Sequence, residues 1–197
     1  MQPTYPAPTI ARVVIPKSAV TTAALMVGFA LVTALSAQIV IPVPGSPVPI
    51  TAQTLAVLVA GAALGAKAGA GSQLIYWAMG AAGLPFYSNA TGGWEAATGA
   101  TAGYLFGFIA AAWLIGMMSE RGHDRTIDSA LPAFLAGNMV IYAFGVTWLL
   151  ISVASITTIN QALTLGFLPF VIGDAVKILA ASVLLPAAWK MVSSLRD

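Results

Sequence analysis

Cysteine is absent from the 197 residues, which excludes disulfides, thiolate zinc sites and iron–sulfur clusters. Charge is almost as scarce. Eight Lys and Arg and six Asp and Glu make up 7% of the chain, where a soluble domain carries roughly 25%. A surface this poor in charge could not keep a monomer of this size in water, and intrinsic disorder needs the opposite composition. There is one histidine, His123, so a His-built metal site is not expected. With Glu120, Asp124 and Asp128 it reads as a solvated charge cluster in a short aqueous loop. No Ser/His/Asp set can be assembled inside apolar segments, so hydrolytic catalysis has no support and the chain does not read as an enzyme. Neither GxGxxG nor GxxxxGK(S/T) occurs in a strand-to-helix setting, so no phosphate cradle is present. The net charge of +2 is scattered rather than clustered, which argues against nucleic acid.

What is present is apolar: 59% of the residues. The expected fold is all-α, a polytopic bundle of six transmembrane helices at about 20 apolar residues per span. Residues 1–17 hold Pro3, Pro6, Pro8 and Pro16 and read as a flexible tail. Residues 18–197 read as a single membrane domain. Ser18 can cap the first helix, to about Val40. The prolines at 42, 44, 47 and 49 force a loop over 41–49. A second helix follows from Thr51 to about Leu64. Ala66–Gly71 reads as a Gly/Ala turn, and a third helix covers about 72–82. Gly83–Gly99 reads as a long loop. The remaining helices are expected at about 101–118, 131–156 and 167–192, with 157–166 as a connection. The segment ALSAQ (34–38) resembles a signal cleavage site, but the apolar run before it is long for a signal peptide, so no cleavage is expected.

Orientation follows from the basic residues. Arg12, Lys17, Lys67, Arg121, Arg125, Lys190 and Arg196 fall in the termini and alternate connections, and 41–50, 83–99 and 157–166 contain no Lys or Arg. Six spans with both termini cytoplasmic give this alternation. The eighth, Lys177, stands inside the last helix.

Asp174 and Lys177 are the sharpest chemical feature. A charge in mid-membrane costs roughly 2.5–3.5 kcal/mol on insertion scales and marks function by default. At i, i+3 the two share one helix face, either as a structural ion pair or as groups facing a polar ligand. Depth places them in the outer half of the membrane. In the 83–99 loop, Phe86, Tyr87 and Trp94 offer flat apolar surfaces, and Asn89, Thr91 and Glu95 offer hydrogen bonds; this suits a ligand site or an interfacial aromatic belt. Gln53, Tyr76, Tyr104 and Tyr142 are polar handles on apolar helices, each able to line a pocket or to be satisfied by backbone. On the first helix Ala24 and Gly28, and Ala30 and Ala34, form small-xxx-small rows that suit close packing within the bundle or against another membrane protein.

The segments IPVPGSPVPITAQTLAVLVAGAALGAKAG (41–69), GAAGLPFYSNATGGWEAATGATAGYLFGF (80–108) and LPFVIGDAVK (168–177), in this order and spacing, resemble BioY, the biotin-specific substrate-binding (S) subunit of energy-coupling-factor (ECF) transporters of prokaryotes. The resemblance covers nearly all of the chain after residue 18. It implies high-affinity binding and uptake of biotin across the bacterial cytoplasmic membrane. The family's DxxK corresponds to Asp174 and Lys177, and its loop Asn to Asn89. With Trp94, Gln53 and Tyr104 these make up the expected biotin site, and Ala30 and Ala34 the expected docking row for a transmembrane coupling subunit. Implied partners are that subunit, its ATPases and the lipid bilayer, with self-association left open; no cofactor beyond the biotin ligand is implied. The family's usual GPTGGY is GATAGY here (99–104), and the basic residue found near it in some relatives is absent. The carboxylate of Asp174 can accept from the ureido N–H groups, while Lys177 can meet either the ureido carbonyl or the biotin carboxylate. The alternatives are an S subunit for another vitamin, or an ion-coupled secondary transporter, for which no internal repeat is visible.

Overall fold

The computed structural model describes residues 8–16 and 18–194. Residues 1–7, Lys17 and 195–197, and with them the outer part of the expected tail and Arg196, lie outside the described residues.

The chain is built almost wholly from helices. The proline-rich start is not uniformly extended: a short helix α1 (Ile10–Val14) interrupts it, and Thr9 beside it is buried. Ser18 then caps α2 (Ala19–Ser36). Its hydroxyl accepts from the Thr21 N–H and the Thr21 hydroxyl accepts from the Ser18 N–H, both at 3.0 Å, a reciprocal capping box. The proline loop is closed at its base by two short antiparallel strands, β1 (Val40–Ile41) and β2 (Ile50–Thr51). The next helix, α3 (Gln53–Leu64), leads through Gly65 alone into α4 (Ala66–Ala81).

That junction corrects the turn expected over Ala66–Gly71. Gly65, at φ 85° and ψ 175°, makes the whole bend. The glycines after it serve close packing instead: a Cβ at Gly69 would stand 2.9 Å from the Gly61 backbone and 3.3 Å from the Ala112 carbonyl oxygen. The loop expected over 83–99 carries a short helix, α5 (Trp94–Thr98). Then come α6 (Ala102–Ser119) and α7 (Ile127–Ser152). The connection expected at 157–166 is itself mostly helical, α8 (Ile159–Gly166), capped by Thr158 with Gln161. A 3₁₀ turn at Leu168–Phe170 leads into α9 (Val171–Ser194).

Among the described residues, four segments are long and apolar enough to cross a membrane: Ala19–Ser36, Ala102–Ser119, Ile127–Ser152 and Ile159–Ser194. Helix α6 sits centrally and packs against α3, α4 and α7, with α9 closing the bundle against α3 and α7. One buried cluster gathers Tyr76, Tyr87, Tyr104, Phe108, Ile141, Tyr142 and Leu149. Another gathers Leu58, Ile115, Phe134, Ile178 and Leu185. Outward faces are apolar too, with Leu31 and Leu35 on α2, Leu135 and Met139 on α7, and Val176, Leu179 and Val183 on α9 exposed. A bundle apolar on both sides has lipid, not water, as its solvent.

At one end the α6–α7 connection, the N-terminal segment and the end of α9 meet. Trp189 Nε1 donates to Asp124 Oδ2 at 2.7 Å, Arg125 donates to the Pro8 carbonyl at 3.1 Å, and the Arg125 guanidinium lies 3.8 Å from the Trp189 ring centroid. Burial pushes the Asp124 carboxyl above the usual carboxylate range, against the opposing pull of the Trp189 hydrogen bond.

Candidate functional site

At the opposite end α3, α4, α6, α7 and α9 enclose a narrow chamber of about 60 Å³. The tyrosines 76, 104 and 142 and the aliphatic and aromatic faces of Leu105, Phe108, Ile141 and Phe170 wall it, and Asp174, Lys177, Thr54 and Gln53 supply its polar groups. Apolar walls with a few convergent polar groups are what small-molecule sites have in common.

Asp174 is the centre of the polar side. It falls in the first turn of α9, less deep in its helix than the sequence suggests, where the helix N-terminus favours a carboxylate. Oδ1 accepts from Lys177 Nζ at 2.7 Å and from the Thr54 hydroxyl at 3.1 Å. Oδ2 accepts from Asn138 Nδ2 at 3.3 Å and from the Tyr142 hydroxyl. Lys177 Nζ also donates to the Thr54 hydroxyl at 3.0 Å. Three helices therefore converge on one carboxylate. An ammonium has three donors; two are engaged among the described residues, and Lys177 lines the chamber.

The other polar groups are also prepared. Gln53 Nε2 donates to the Tyr76 hydroxyl oxygen at 2.6 Å, and Gln53 Oε1 accepts from the Thr51 hydroxyl at 2.9 Å. The Tyr76 O–H has no acceptor of its own among the described residues, which leaves it as a donor on the wall. The Tyr104 hydroxyl donates to the Gly166 carbonyl at 2.7 Å, which ties α6 to the end of α8. Tyr142 packs edge-on against Phe167, ring centroids 4.8 Å apart.

A wider outer cavity of about 520 Å³ adjoins the chamber and shares Pro49, Tyr87, Ser88 and Thr101 with it. The proline loop and the 87–101 segment form its walls. Gln38 braces that segment: its Nε2 donates to the Tyr87 carbonyl at 3.2 Å and its Oε1 accepts from the Ala90 N–H at 2.9 Å.

Four of the six residues of the expected biotin site, Asp174, Lys177, Gln53 and Tyr104, thus meet in one chamber, together with Tyr76, Tyr87 and Tyr142. Asn89 does not join them; it lines the outer cavity, exposed, with its backbone in the left-handed region at φ 58°. Trp94 lines neither cavity. It is 66% exposed and packs edge-on against Trp77, because α5 turns it outward. Ala30 and Ala34 are buried within the chain rather than presented to a partner. Their face of α2 lies on α4, where Thr33 and Gln73 hydrogen-bond at 3.2 Å. The other small row keeps open space, with nothing within 4 Å of a Cβ placed on Gly28. Thr54 and Asn138 were not foreseen. Asn138 and Tyr142 stand four apart on α7, polar on one face of an apolar helix, and that spacing was the available signal.

The fold is shared with a known structure. A crystal structure described as the S-component for biotin from an ECF-type ABC transporter superposes with a TM-score of 0.78 at 24% identity, over 87% of this chain and 92% of that one. Closer in sequence are proteins named biotin transporter BioY. That of Thermotoga maritima is 38% identical over 144 residues, 73% of this chain and 82% of its own length. That of Rhizobium etli is 39% identical over 145 residues, 70% of this chain and 76% of its own length. The sequence profile of the BioY family matches residues 10–194, and with these relatives it establishes that the chain belongs to the BioY family.

Proposed function

We propose that this chain is the biotin-binding S subunit of an ECF-type transporter, a transport protein and not an enzyme. The observation that carries the reading is the Asp174–Lys177 pair set into the wall of a tyrosine-lined chamber. Biotin is an apolar bicycle with a ureido group at one end and a carboxylate at the other. The inner chamber takes the end that meets the pair. Asp174 accepts from ureido N–H groups, or Lys177 meets the ureido carbonyl or the carboxylate. The outer cavity takes the other end, where Asn89 stands. Tyr76 contributes its unpaired hydroxyl donor, Gln53 holds Tyr76 in place, and Tyr104 closes the wall.

The topology we propose is six spans, α2, α3, α4, α6, α7 and α9, with both termini in the cytoplasm of a bacterial cell and the chamber facing outward. The contacts among Pro8, Asp124, Arg125 and Trp189, which bring the described start of the chain and the last turns of α9 together at the far side from the chamber, support it. The chain has no nucleotide-binding motif, so the reading implies a coupling subunit and ATPases as partners. The exposed Ala24–Gly28 side of α2 suits close helix approach better than the buried Ala30–Ala34 side.

The test is mass spectrometry of the small molecule that stays with the full chain when cells are grown with biotin and the protein is purified in mild detergent. Biotin near one per chain is expected. A different vitamin, or lipid alone, would overturn the assignment.

A further inference from the structure

At the end away from the chamber, α1, the start of α2 and the start of α4 leave a cavity of about 380 Å³ between them. Its rim carries two cations, Arg12 from α1 and Lys67 from α4, with the Thr22 hydroxyl nearby and an apolar floor of Ile15, Leu25 and Met26. Both cations are exposed, and neither is in an ion pair among the described residues. The nearby carboxylate, Glu120, is occupied otherwise, accepting from the Ala66 N–H at 3.1 Å.

A second, open groove of about 400 Å³ runs up the outside of α2 along Ala19, Ala23 and Met26, sharing Thr22 and Met26 with the cavity. These three positions follow one helix face at i, i+4 and i+7, a path of roughly 10 Å at 1.5 Å per residue. Two unpaired cations at the membrane boundary attract an anionic head group. The apolar groove leading from them into the hydrocarbon depth fits an acyl chain, which a free phosphate ion lacks.

We propose that this cavity binds an anionic phospholipid, with the head-group phosphate between Arg12 and Lys67 and one acyl chain along the Ala19–Ala23–Met26 groove. The site is independent of the chamber, which lies at the other end of α3 and α4, so lipid occupancy here does not require ligand there.

The test uses the full chain, delipidated in a neutral detergent and titrated with phosphatidylglycerol or phosphatidylcholine of the same chain length, with bound lipid counted by native mass spectrometry. Phosphatidylglycerol should be retained about 10-fold better, and less so at high salt. The double variant Arg12→Gln/Lys67→Gln should lose that preference and still retain biotin; should the double variant fold poorly, Lys67→Gln alone should lose part of it. Inorganic phosphate at the same concentrations should neither bind nor displace the lipid. Equal retention of the two lipids, a preference that survives the Gln substitutions, or displacement by inorganic phosphate would each overturn the proposal.

Discussion

Lys177 Nζ lies 2.7 Å from Asp174 Oδ1, one turn further along the same helix, and the two form the polar floor of a chamber that is otherwise aromatic and aliphatic. Thr54 bonds to both, and Asn138 and Tyr142 take the second carboxylate oxygen. Apolar residues of similar size often replace a buried ion pair without loss of stability. Stability alone is therefore a weak reason for this pair, and the proposed grip on a ligand supplies another.

Two substitutions separate those roles. Lys177→Met leaves Asp174 buried and without its cation, and unfolding in detergent should show a loss of about 3–5 kcal/mol. Asp174→Leu/Lys177→Met removes both charges and should recover most of that stability while binding no biotin. A double variant that is stable and still binds would show the pair to be structural only.

Two of the chamber tyrosines, Tyr142 and Tyr104, and the outward tryptophan should differ in binding and stability assays. Tyr142→Phe removes one donor from the Asp174 carboxylate and should weaken biotin binding by about 1.5–3 kcal/mol, the usual net worth of such a bond to a charged group. Tyr104→Phe should cost about 1 kcal/mol of stability by breaking the tie to Gly166. Trp94→Ala, which alters a side chain outside both cavities, should leave affinity within about twofold, since surface changes away from a site act within about 0.5 kcal/mol.

How far the sequence showed this site depends on what each residue's chemistry can reveal. Asp174 and Lys177 were visible because charge in an apolar helix is costly and so conspicuous. Gln53 and Tyr104 were visible as polar groups on apolar faces. Trp94 is expected in the site and stands outside both cavities, because an aromatic ring suits a ligand wall and a lipid boundary equally well, and only the turn at Gly93 into α5 decides between them. The spacing of Ala30 and Ala34 marks a close approach but does not say whether a helix of the same bundle or another protein makes it. The glycines after residue 65 suggest a turn, yet their small size serves the packing of α4, Gly69 against α3 and α6 and Gly71 against Met26 of α2, information held in the tertiary contacts and not in the local chain.

Gly145 tests how tightly the chamber wall is packed. A Cβ there would run into the Tyr104 ring, so Gly145→Ala should cost about 1–3 kcal/mol, as overpacking does. Thermal unfolding measures the loss, and biotin affinity should fall with it as Tyr104 is displaced.

Asp124 gives a pH dependence at the other end. Its folded-state carboxyl is raised above its unfolded value by burial. Between those two values the folded form holds the proton and the unfolded form has released it, so stability falls as pH rises through the window and stays lower above it. Acidification from neutral pH should therefore raise the melting temperature by this contribution. Asp124→Asn, which can still accept from Trp189, should flatten the dependence; an unchanged profile in that variant would assign it to another group.

The most direct measurement is calorimetric titration of biotin into the purified full chain and into Asp174→Asn. The wild-type chain should bind one biotin per molecule, and the variant should bind it more weakly by about 2 kcal/mol or more, as happens when one partner of a buried charged contact is lost. No heat from the wild type, or equal affinity in the two proteins, would contradict the placing of biotin against Asp174.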